Sequence, residues 1–229
     1  NKYMDAQQKT FHVIAAGPSP AYAGIGSRST PADVLAQMRL MGARLARLGM
    51  HLRSGGADGA DSAFEDGALD IGVASSIFLP WPRFNGRASG IVPDLAKGGE
   101  IARLHHPAWE RLTEGARRLH SRNSYQVLGE FLNDPARFVL CWTADGCEGA
   151  ASRSKKTGGT GMAIAIADLH GIPVINMANE GWHAKLLTVL AGIPEMAGMR
   201  LPPAPDLPRQ GPAPRSCSVR VSAFPFLEA

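Results

Sequence analysis

Short apolar runs alternate along the chain with longer stretches in which apolar residues recur every three or four positions. The first kind reads as buried strands, the second as helices packed along one face. "AYAGIG", from Ala21, is a buried strand running into a glycine turn. Pro31 then suits the first turn of a helix, with Thr30 as its N-cap. Val34, Leu35, Met38, Met41, Leu45 and Leu48 continue at helical spacing, and Gly49 ends the run. "MHLRSGG" is the second strand and turn. A helix from about Gly59 follows, with Ala60, Ala63, Phe64 and Ala68 on its packed side. "ASSIFLPW" reads as a third strand ended by Pro80 and Pro82, and residues 83–99 show no period and read as a surface excursion. From His105 to Leu132 the pattern is mostly helical, as two helices broken near Ser121. "RFVLCWT", at Arg137–Thr143, is a buried strand; Thr160–His170 reads as a helix, "IPVINM" as a strand, and Trp182–Leu190 as a last helix.

Strands and helices in alternation predict a mainly parallel sheet covered on both faces, a three-layer α/β/α domain. Ligands of such sheets bind beyond the carboxyl ends of the strands. Three glycine-rich loops fall at that edge. Residues 1–20 read as an N-terminal extension, with an apolar run at Phe11–Pro20 as an appended strand. The domain spans 21–193, and the proline-rich stretch 194–229, with a short strand at Ser218–Ala223, reads as a tail.

Composition changes this picture little. The 229 residues are 45% hydrophobic and 19% charged, with a formal net charge of +4. That is a globular balance, mildly basic, which admits an anionic partner without demanding one. Cys141, Cys147 and Cys217 sit at no zinc-ligand spacing, no run approaches the roughly 18 apolar residues of a membrane span, and the opening residues lack a signal-peptide pattern. A cytoplasmic setting is expected, with no membrane, metal or cofactor.

The chemistry lies in the loops. "GIGSR" offers Gly24 and Gly26 for close backbone approach, Ser27 and Arg28 for phosphate oxygens, and the following helix N-terminus. It is not a full dinucleotide fingerprint, and no Walker A triplet occurs anywhere. "SGGADGAD" adds Ser54, Gly55 and Gly56 as a second amide-rich turn. Asp58 there is either a helix cap or a ribose contact. Asp61 and Glu65, four apart, are either paired acids or an exposed acidic face. "TGGTG" places Gly158, Gly159, Thr160 and Gly161 at a third helix start, after the basic Arg153, Lys155 and Lys156. Trp81 and Trp142, at strand ends, either pack or stack on a base. His105, His106 and His120 read as structural or surface histidines.

In this order "GIGSR", "SGGADGAD", Arg122-Asn123 and "GGTG" resemble the SLOG superfamily of Rossmann-like domains. That superfamily is shared by DNA-processing protein A (DprA) and the Lonely Guy phosphoribohydrolases. The likeness covers about 21–190 and is nearest to small DprA-like proteins, through "RSGGADGADSAFE", "LPW", "FNGR" and "RNSYQVLG". It implies that Ser54, Gly55, Gly56, Arg122 and Asn123 contact a nucleotide or single-stranded nucleic acid, and it admits a homodimer. DprA's C-terminal winged helix is not recognisable; the proline-rich tail stands in its place. The Lonely Guy pattern implies an N-glycosidase acting on nucleoside monophosphates, yet Ala165 stands where its glutamate belongs, so Glu65, Asp61 or Asp145 would have to substitute. A nucleotide-signal sensor is the third reading.

Overall fold

The computed structural model describes residues 19–203. They form a Rossmann-like α/β/α domain around five strands, all parallel, in the order β3-β2-β1-β4-β5. The strands are β1 (Ala21–Gly24), β2 (His51–Ser54), β3 (Ser76–Ile77), β4 (Val139–Cys141) and β5 (Val174–Asn176); the helices are α1 (Ala32–Arg47), α2 (Ala60–Leu69), α3 (Leu95–His105), α4 (Glu114–Leu128), α5 (Thr160–Leu169) and α6 (Trp182–Ala191). The appended strand expected at Phe11–Pro20 and the one at Ser218–Ala223 fall wholly or mainly outside the described residues.

Side chains of a strand alternate between faces, and this sets the two cores. Tyr22, Leu52, Phe138, Leu140 and Ile175 point to one face, with Met38, Leu45, Phe64 and Leu186 of α1, α2 and α6. Ala23, Val139, Cys141 and Val174 point to the other, under Val127 of α4 and Ile164 and Ala167 of α5. Tyr22 stacks on Phe138 at 5.5 Å between ring centroids. Helices α1 and α2 meet backbone to backbone. A Cβ at Gly42 would lie 2.3 Å from the Phe64 carbonyl oxygen, and one at Gly67 would lie 1.9 Å from that of Arg39.

Three local expectations change. Helix α4 runs unbroken through Ser121, whose hydroxyl donates to the Arg117 carbonyl one turn back at 2.8 Å. The break comes earlier, where His106-Pro107 ends α3. Helix α3 starts inside the supposed excursion. Asp94 caps it by accepting from the amides of Ala96 and Lys97. Gly98 and Gly99 mask its period, and Gly98 is needed because a Cβ there would stand 2.5 Å from the Ser121 carbonyl. Thr30 does not cap α1; its hydroxyl donates to the Ser27 carbonyl at 2.7 Å and tightens the turn before Pro31.

The packed chain continues past Ile193: Met196 is buried, Leu201 lies against the α1–α6 core, and Arg44 Nε donates to the Pro202 carbonyl at 2.6 Å. No helix of the described residues is long and apolar enough to cross a membrane.

Candidate functional site

From β1 the chain builds outward to β2 and β3, then crosses back to β4 and β5. The loops leaving β1 and β4 therefore diverge, which opens a crevice at the carboxyl edge between two neighbouring strands. A cavity of about 350 Å³ occupies it. Gly26, Ser27 and Arg28 line it from β1, Ala57 and Asp61 from the loop and helix after β2, and Gly158, Gly159 and Thr160 from the start of α5. Leu119, His120, Arg122, Asn123 and Gln126 of α4 close the remaining side. The sequence motifs converge because two of the loops press on one another: a Cβ at Gly26 would lie 2.7 Å from that of Ala60, and one at Gly59 would lie 2.8 Å from the Ser27 carbonyl oxygen.

Arg122 is 5% exposed and Asp61 is 3% exposed. Arg122 Nη1 approaches Asp61 Oδ2 at 3.4 Å, and the Ala57 amide donates to the same oxygen at 3.3 Å. Gln126 completes the frame. With its amide oriented to satisfy both ends, its oxygen accepts from Arg122 Nη1 and from the Gly55 amide, each at 2.9 Å, while its nitrogen donates to Asn123 Oδ1. Asn123 Nδ2 in turn donates to the Gly159 carbonyl at 3.1 Å. One hydrogen-bonded line thus joins α2, α4 and the loop before α5.

Arg122 Nε is buried without a partner, and Nη1 is the one nitrogen of this guanidinium hydrogen-bonded among the described residues. Burial pushes the Asp61 carboxyl above its ordinary range against the pull of Arg122, and burial likewise lowers Arg122 against the pull of Asp61. Two charges removed from water in a 3.4 Å contact leave the arginine short of anionic oxygen.

Other motif residues stand behind the cavity wall. Gly24 lies within β1, where a Cβ would meet Leu52 Cδ1 at 2.7 Å. Ser54 is fully buried and donates to the Gly24 carbonyl at 2.7 Å, locking β2 to β1. Gly55 makes room for the guanidinium: a Cβ there would stand 1.1 Å from Arg122 Nη1. Gly56, at φ +64°, offers its carbonyl to Asn85 and Arg87, each at 3.2 Å. The "FNGR" segment is accordingly a clamp on this turn. Gly161 lies one residue into α5 and its carbonyl accepts from Arg153.

The carboxylates separate. Glu65 is buried, not part of an exposed acidic face, and forms a two-pronged pair with Arg87 outside the cavity. Asp58 is exposed and makes no capping bond to α2, whose first turn is preceded by Gly59. Asp145 is held by Ser154 and Thr157: slight burial opposes ionisation, but these hydroxyls, with Thr143 and the Cys147 amide, pull it down to about 2. Ala165 is 1% exposed in the core. Lys155, Lys156, Trp81 and Trp142 do not line the cavity.

Among the polar lining residues, Gln126 is one that sequence reasoning passes over, and His120, read from sequence as a structural or surface histidine, also lines the cavity. Helical spacing from Arg122 carries the only signal: Gln126 is one turn on, and both residues share the α4 stretch that turns inward.

No family model matches the chain. A search of curated proteins returns no significant match. Among solved structures, DNA processing protein A from Helicobacter pylori, described for its single-stranded DNA binding mode, is similar over 76% of this chain and 82% of that one, at a TM-score of 0.37 and 14% identity.

Proposed function

We propose that this cavity binds a phosphate group of a nucleotide or of single-stranded nucleic acid, without turning it over. The observation that carries this reading is Arg122: buried, aligned by Asp61 and Gln126, and with donors left over at a cavity that three glycine-rich loops surround. Arg28 adds a second positive charge at the same cavity, and the starts of α2 and α5 present their positive ends nearby. A volume of about 350 Å³ is at the small end of ligand sites, roughly 300–1,000 Å³, and suits one nucleotide unit better than a dinucleotide cofactor.

The N-glycosidase alternative has little to draw on. Asp61 is the one carboxylate lining the cavity among the described residues, and it is committed to Arg122. The reading is tested with the paired variant Asp61→Asn/Arg122→Gln, which leaves no lone buried charge. Thermal shift with nucleoside monophosphates and fluorescence anisotropy with oligothymidylate, at low and moderate salt, should show at least about tenfold weaker binding than wild type. Oligothymidylate affinity should also fall with salt, as released counterions require. Wild-type affinity in the variant, or no binding of either ligand to the wild type, would refute the reading; base released from a monophosphate would replace it with the enzyme.

A further inference from the structure

His120 stands on α4 two residues before Arg122 and lines the same cavity. Its Nδ1 is sealed from water without a partner, while Nε2 is not sealed and makes no hydrogen bond among the described residues. His106, at the end of α3, backs the ring with centroids 4.9 Å apart, and its own Nδ1 is committed to the Ala108 amide at 3.2 Å. The charged groups sharing its surroundings are Arg122 on the same helix, Arg28 from the β1 loop and Asp61 from α2, the last already paired with Arg122; Arg153 acts behind, on His106. No carboxylate is left over to stabilise an imidazolium among these groups.

We propose that His120 is a contact residue of the anion cavity and takes up one proton from solvent, at Nε2, as an anion enters. The inference rests on reading the cavity as a phosphate site. Burial first, then His106 and Arg122, hold the free imidazole down at about 4, so it is neutral near pH 7. An anion within hydrogen-bond reach of Nε2 favours the charged ring and raises its pKa. By linkage, proton and anion then strengthen one another. Affinity rises as pH falls through the raised value and levels off below the free one. One proton sets the limit at about tenfold per pH unit.

The ring C–H signals of His120 in the full chain, followed by NMR titration with and without oligothymidylate or sulfate, test this directly. Both probes keep their charge between about pH 5 and 8, so any titration there belongs to the protein. The expected result is a His120 midpoint near 4 that moves up by about one unit or more with either probe bound. The variant His120→Gln should bind both and lose the rise in affinity between about pH 7 and 5. A midpoint unmoved by a bound probe, or a His120→Gln variant with the wild-type pH profile, overturns the inference and leaves the phosphate reading standing. Failure of the wild type to bind either probe at any pH overturns both. Should His120→Gln not fold, the wild-type ring titration decides alone.

Discussion

One turn of α2 carries two buried carboxylates, and each meets a largely buried arginine. At Glu65, Arg87 spends everything: both terminal nitrogens go to the carboxylate and Nε goes to the Gly56 carbonyl. At Asp61, Arg122 engages through Nη1 and keeps Nε unpartnered. The first pair is a fastening between α2 and the segment after β3. The second is a fastening that still has donors to offer. The difference lies in how many partners each guanidinium finds, and it could not be read from the i, i+4 spacing of the two acids. A guanidinium becomes a recognition group where its local partners are too few for its five hydrogens.

The comparison breaks hardest at Gly55. The methyl group of Gly55→Ala would stand 1.1 Å from Arg122 Nη1, so the guanidinium must leave its place. Urea unfolding should show a loss of about 3 kcal/mol, and ligand-induced thermal shifts should vanish. Wild-type stability with binding intact would remove Arg122 from the centre of the site. Arg87→Ala should cost less, about 2 kcal/mol, because that pair is partly open to water. Its anion affinity should stay within about twofold of wild type; a tenfold loss in the same titration would bring the clamp into the cavity. The smallest loss of stability belongs to Asp61→Asn. It leaves Arg122 without its charge partner, but burial already disfavours the ionised carboxyl and Gln126 still accepts from Nη1, so urea unfolding should show a loss of about 1.5 kcal/mol. Anion affinity should rise about threefold as Arg122 no longer shares its charge. Weaker binding instead would mean that Asp61 positions the guanidinium more than it competes for it.

Much of the fold was legible because its signals are local. Apolar runs such as "RFVLCWT" and the spacing from Val34 to Leu48 depend on neighbours in sequence, and they mark β4 and α1. Helix α3 was hidden because Gly98 and Gly99 answer to Ser121 on another helix and carry no helical signature of their own. The site divides in the same way. Glycine-rich turns after strands announce the cavity edge, and Gly26, Ser27, Arg28 and the start of α5 line it. Ser54, Gly55 and Gly56 belong to the same motif yet serve the fit of β1, Arg122 and the clamp. Asp61 meets Arg122 across 61 positions, and Gln126 acquires its role only from the partners that surround it. No spacing rule encodes the first, and for the second helical spacing gives the position and not the role.

The glycine contact between α1 and α2 has a mechanical consequence. With Gly42 and Gly67 seated on facing carbonyls, the two helices have no slack between them, and the loops ahead of both are carried by one tightly packed pair. Across the cavity, a Cβ at Gly158 or Gly159 would meet nothing within 4 Å, and that loop is tethered to α4 by the Asn123–Gly159 bond. The cavity wall is therefore closely packed on the side of α1 and α2 and open around the two glycines that precede α5.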